Sequence, residues 1–92
     1  MNSLLKQKFV VIDVETTGLD YLNDRITEIA LIKIENNKII EEFSSLINPE
    51  RFIPPFITEL TGITNELVFN KPKFIDIIPK IKDYLNSDEM GF

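Results

Sequence analysis

Two carboxylates stand at the end of an apolar run. The run is Phe9-Val10-Val11-Ile12, and the acids are Asp13 and Glu15. In an extended strand a spacing of two puts both side chains on one face, with Cα atoms roughly 7 Å apart. Carboxylates that close repel each other, and a cation between them removes the conflict. Mg²⁺ and Mn²⁺ suit such a pair, because they take hard oxygen ligands and often use only one or two protein carboxylates. Judged from the pair alone, a solvated strand end carrying two unrelated acids is the favoured reading, since two acids at this spacing are a weak signal. Thr16-Thr17-Gly18 follows at once. Glycine lets the backbone approach a ligand closely, and Thr hydroxyls with backbone N–H groups can hold a phosphate or a sugar. The same composition also makes a plain turn.

Glu28 is a third acid, in a second strand-like run. It shares a face with Ile26, Ala30 and Ile32, so it is expected to be partly buried. Metal ligation is one role for it. The favoured role is structural: a carboxylate accepting hydrogen bonds from neighbouring Thr or backbone groups, as buried polar groups must. Leu60-Thr61-Gly62-Ile63-Thr64 reads as a helix exit rather than a ligand loop. Lys71, Lys73, Lys80 and Lys82 read as a solvated face.

Composition narrows the classes. The 92 residues allow one small domain, and 43% apolar residues are enough to fill its core. Ten Lys and Arg against 15 Asp and Glu give a net charge of −5. That excludes a basic nucleic-acid arm and a polybasic membrane anchor, but not nucleic-acid chemistry run through bound cations. The chain has no Cys, so neither a disulfide framework nor a zinc thiolate site is available. It also has no His, the usual general base near neutral pH. No stretch reaches the ~18 apolar residues of a membrane span, and no signal peptide is recognisable. The expected location is cytoplasmic.

The elements that must hold these residues follow from periodicity. Phe9 to Val14 is a dense β-branched run and reads as a buried strand. Ile26 to Ile34 is a second strand. Its even positions share a face, and four of those five residues are apolar, which marks that face as the core side. Glu35-Asn36-Asn37-Lys38 reads as a tight hairpin, because Asn tolerates positive φ. A third strand runs from about Lys38 to Ile47. Pro54-Pro55 then opens a short helix that Gly62 ends, and Thr64 caps another short turn through Val68. Apolar residues at 74, 77, 78, 81, 84 and 85 predict a longer helix with one buried stripe. Pro79 inside it predicts a kink or a helix start nearby. In the usual α/β pattern another strand would follow that helix. The chain reads as cut short.

Several pieces together resemble one family. Phe9 through Leu19 looks like the first exonuclease motif of the DnaQ-like (DEDD) 3′→5′ exonucleases. Asp24-Arg25-Ile26-Thr27-Glu28-Ile29-Ala30 resembles their second strand, and Phe43 through Pro49 their third. Ile53-Pro54, Leu60 to Thr64, and Val68 followed by Pro72 match the helical region in order and spacing. Within the family, the branch it most resembles is the proofreading exonuclease of bacterial DNA polymerase III, as epsilon subunit or PolC-type segment.

The resemblance implies an α/β, ribonuclease H-like exonuclease fold, truncated to three mostly antiparallel strands followed by helices. Residues 1–92 would be the N-terminal part of a single exonuclease domain. Asp13 would bridge two divalent cations, Mg²⁺ or Mn²⁺, and Glu15 would bind the one on the nucleophile side. Thr16, Thr17, Gly18 and Leu19 would line the pocket for the terminal nucleotide, with Leu19 near the last base. Thr61 and Ile63 would touch sugar or base from the opposite wall. The implied substrate is a single-stranded DNA 3′ end, RNA remaining open, and the implied partner is a DNA polymerase catalytic subunit; no membrane is involved. The family's third and fourth acids and its His base are not matched, and neither Tyr21 nor Tyr84 stands where the related subclass places a Tyr. The isolated chain is therefore expected to be inactive. A non-catalytic remnant or binding module of the same fold is the alternative, and an exposed sheet edge would then favour self-association. A phosphatase of the haloacid-dehalogenase type fits poorly, since Glu15 replaces its second Asp and a hairpin follows.

Overall fold

The structure is a computed structural model that describes residues 8–20 and 22–85. Tyr21 lies outside the described residues. Three strands, β1 (Lys8–Thr16), β2 (Ile26–Glu35) and β3 (Lys38–Leu46), form one antiparallel sheet in the order β1-β2-β3. Three helices follow: α1 (Pro55–Thr61), α2 (Asn65–Val68) and α3 (Phe74–Leu85). No helix among the described residues is long and apolar enough to cross a membrane.

Local chemistry accounts for the joints. Asn36 and Asn37 take φ of 53° and 67°, the left-handed pair that a two-residue hairpin requires. Pro55 opens α1, where its missing N–H costs no helical bond. Gly62 closes α1 at φ 79°, its N–H donating to the Thr58 carbonyl. Thr64 caps α2, its hydroxyl accepting from the Leu67 amide. Helix α3 starts at Phe74, not at Pro79. Pro79 removes only the bond to the Ile75 carbonyl, and both residues are exposed, so water can take that carbonyl.

The sheet has two unlike faces. On one, Ile29, Leu31 and Ile47 pack against Ile77 and Tyr84 of α3, with Val10, Ile26, Phe43 and Ile81 at the margin. Lys33 belongs to this face and is 8% exposed. Its ammonium lies 5.2 Å from the centre of the Tyr84 ring and 3.6 Å from a Glu41 carboxylate oxygen, so its charge is compensated. The core side of β2 is therefore the odd one, not the even one that its apolar count suggested. The cause is the cover: α3 supplies its apolar stripe to the odd face, while the even residues stay half-buried. The even set is also broken. Glu15 pairs with Glu28 but Thr16 with Ile26, so Thr27 is an extra residue in β2. This bulge turns Ile26 onto the helix side, away from Glu28.

A second cluster, Ile53, Ile57, Ile63 and Val68, holds α1 and α2 together. Leu46 at the end of β3 packs against it and joins it to the sheet.

Candidate active site

The register brings three acids to the face away from α3. Asp13 lies opposite Ala30, and Glu15 lies directly opposite Glu28. Asp13 and Glu15 are exposed and Glu28 is half-buried, as its surroundings in β2 predict. Among the described residues no cation pairs with any of the three, and no hydrogen bond reaches the Glu28 carboxylate. The structural role favoured for Glu28 thus has no partner to support it. Across the sheet from Glu28 comes Leu46. The row Glu15, Glu28, Leu46 therefore leads straight to the α1–α2 cluster that contains Ile63.

No three acidic side chains among the described residues converge on one point. The donors are a pair of hard carboxylates on one strand face, with a third across from one of them. That donor set fits a divalent cation that keeps much of its water and borrows further oxygens from a phosphate. It does not fit a metal that needs a closed protein cage.

The loop after Glu15 is built from its own side chains. Thr16 Oγ1 donates to the Gly18 carbonyl at 2.5 Å and accepts from the Gly18 amide at 3.3 Å. Thr17 is 1% exposed. Its hydroxyl donates to Asp24 Oδ1 at 2.6 Å and accepts from the Arg25 amide at 3.0 Å. Its own amide donates to the Arg25 carbonyl at 2.8 Å. Both hydroxyls that composition offered to a phosphate or sugar are thus engaged inside the loop. Leu19 is fully exposed at its tip.

Asp20 and Asp24 organise the far side of the loop. Asp20 accepts from the Asn23 side chain at 2.7 Å and from the Leu22 amide at 3.0 Å, and these bonds hold its carboxyl below the usual carboxylate range. Asp24 is lowered too, first by the Thr17 hydroxyl, then by the Asp20 amide. On the other wall Thr61 is half-buried. Its hydroxyl donates to the Ile57 carbonyl at 2.9 Å and accepts from the Ile63 amide at 3.1 Å. The Ile63 side chain is 5% exposed and packs in the second core.

Sequence reasoning missed Asp24 and Arg51. Arg51 donates to the Asn23 carbonyl, and its Nε lies 3.9 Å from Asp24 Oδ1. The Asp24 link had a weak signal, an acid shortly after a small polar residue in one turn. The Arg51 link had none, because it joins residues far apart in the chain.

A family model described as Exonuclease, RNase_T, matches residues 10–91. The chain belongs to this exonuclease family. It is 48% identical over 82 residues to the 3′-5′ exonuclease DinG of Bacillus subtilis, covering 88% of the chain and 9% of that protein. It is 36% identical over 87 residues to the DNA polymerase III subunit epsilon of Aquifex aeolicus, covering 95% of the chain and 43% of that subunit. Among solved structures, Exonuclease X in complex with 5′ overhanging duplex DNA superposes with a TM-score of 0.71 at 36% identity. That match covers 78% of this chain and 42% of the other. The chain thus spans less than half the length of each of these exonuclease relatives. The three antiparallel strands followed by helices are the ribonuclease H-like exonuclease arrangement expected from the resemblance.

Proposed function

We propose that this chain is the N-terminal part of a DnaQ-like 3′→5′ exonuclease domain that removes nucleoside monophosphates from DNA 3′ ends. One observation carries the reading. Asp13 and Glu15 share an exposed strand face, without cationic partners among the described residues, directly before the Thr16–Leu19 loop, inside the segment that matches the exonuclease family. Asp13 and Glu15 would hold the divalent cations, Mg²⁺ or Mn²⁺, that the family resemblance implies. Bound there, such cations supply water activation and charge neutralisation for phosphodiester hydrolysis. Leu19 meets the terminal base, Thr16, Thr17 and Gly18 shape its wall, and Thr61 with the Ile63 backbone forms the opposite one. An acidic chain handles a polyanion in this way because cations, not Arg, meet the phosphate. The polymerase III names among the relatives support a polymerase catalytic subunit as partner.

A chimera tests this. Residues 10–91 replace the matching segment of the Aquifex epsilon subunit, and 3′ digestion of single-stranded DNA is followed in Mn²⁺. Digestion that disappears on Asp13→Ala supports the reading. A folded chimera that digests nothing, or one that ignores Asp13→Ala, points instead to a binding module of the same fold.

A further inference from the structure

Gly18 is crowded from inside the loop. An ideal Cβ on it would sit 2.4 Å from Asp24 Oδ2 and 2.9 Å from Asp24 Cγ, closer than real Cβ atoms come. The close approach that glycine permits here is to Asp24, within the protein. That carboxylate is the hub of the loop. Oδ1 accepts from the buried Thr17 hydroxyl at 2.6 Å, and Oδ2 accepts from the Asp20 amide at 2.9 Å. Its side chain is only 15% exposed, and Arg51 lies against it. Arg51 also donates to the carbonyl of Asn23, 28 positions earlier. It stands just before α1, which ends in Thr61.

We propose that Asp24 is a positioning residue for the Thr16–Leu19 wall, and that Arg51 braces it against the segment leading to the opposite wall. The inference rests on the exonuclease reading above. Asp24 touches neither nucleotide nor cation in this scheme. It accepts the proton that the buried Thr17 hydroxyl donates, and it fixes the loop end through the Asp20 amide. With both bonds made, Leu19 is held out at a defined place. The two donors meet opposite oxygens of the carboxylate, so an Asn at this position would turn its NH₂ toward one of them.

The test uses the 92-residue chain, labelled with ¹⁵N, and two probes: Mn²⁺, and dTMP in the presence of Mg²⁺. Mn²⁺ broadening reports on Asp13 and Glu15, and dTMP shifts report on the wall. Asp24→Asn is expected to weaken dTMP binding at least tenfold while leaving the Mn²⁺ broadening as in the wild type. Arg51→Gln keeps the Asp24 carboxylate but removes the guanidinium that braces it and the Asn23 carbonyl, and it should produce the same split. A merely structural role would lower both responses together. Loss of both responses, or wild-type dTMP affinity in both variants, overturns the proposal. A wild-type chain that answers to Mn²⁺ but not to dTMP overturns this proposal alone. One that answers to neither overturns the assignment of Asp13, Glu15 and the loop wall on which this proposal rests.

Discussion

Glu28→Gln should change the sign of its effect when a divalent cation is added. Glu15 and Glu28 are direct cross-strand partners. Side chains so placed have Cβ atoms roughly 5 Å apart, and like charges there cost about 0.2–1 kcal/mol. Removing one charge in metal-free buffer should therefore stabilise the chain by about 0.5 kcal/mol. For a domain of this size that is roughly 2–4 °C in Tm. Metal reverses the balance. A cation at ten times its Kd adds about 1.4 kcal/mol to a protein that binds it only when folded. The variant loses part of the negative field that attracts the cation, so it gains less. Thermal melts with chelator and with saturating Mn²⁺ measure both terms. Glu42→Gln is the control: Glu42 faces the same side but lies opposite Ile32, away from the acid pair. A Glu28→Gln chain that gains nothing without metal refutes the cross-strand repulsion. One that keeps its full advantage in Mn²⁺ refutes the role of this face in holding a cation.

Three further outcomes follow from the packing and the loop. Leu31→Ala should cost about 2–5 kcal/mol, because Leu31 is fully buried under α3, whereas Ile32→Ala on the half-buried face should cost about 1 kcal/mol; urea melts of equal rank, or reversed, would sink the assignment of faces. Asp20 and Asp24 titrate below the usual carboxylate range, so what they contribute is present above about pH 4 and lost as pH falls through their folded values. The protection of the residue 17–25 amides, as exchange relative to the intrinsic rate, should accordingly be unaffected by those two groups between pH 8 and 5 and fall below pH 4. The Tyr84 hydroxyl is buried near the Glu41 carboxylate but makes no hydrogen bond of normal geometry among the described residues, so Tyr84→Phe should leave stability unchanged or raise it by about 1 kcal/mol, which a loss in the same urea melt would contradict.

Signals that act over two to four residues were legible. The Asn36-Asn37 turn, the Gly62 helix end and the Thr64 cap each follow from one residue's own backbone or side chain. The acid pair was legible for the same reason, since strand alternation alone places Asp13 with Glu15. The choice of faces was not. Both sides of β2 are apolar, Ile32 and Ile34 on one and Ile29 and Leu31 on the other. Only the position of α3 decides between them, and alternation within β2 carries no record of it. The bulge at Thr27 was equally hidden, because it arises from pairing with β1. Asp24 and Arg51 were missed because their roles need partners that approach only after the sheet and α1 have met.

The exposure of β1 bears on how the acid pair works. Phe9 and Val11 on the carboxylate face are 46% and 42% exposed, and Ile12 and Val14 on the helix side 47% and 40%. The strand has the composition of an interior strand, yet of its apolar residues only Val10 packs against the α3 core, and no described residue pairs with its outer edge. Cover would change the electrostatics of Asp13 and Glu15 as well as the packing. Two unit charges about 7 Å apart repel by about 0.6 kcal/mol in water and by about 2.4 kcal/mol at an effective dielectric of 20. The same factor multiplies their attraction for a cation. Covering β1 therefore makes the empty pair less tolerable and the occupied pair more stable, so closing the sheet and taking up metal reinforce each other. The acids stand where β1 runs into the Thr16–Leu19 loop, so they can stay at the rim while Phe9 and Val11 go under cover. On the proposed exonuclease reading, that placement lets one short strand serve both a core and a cation.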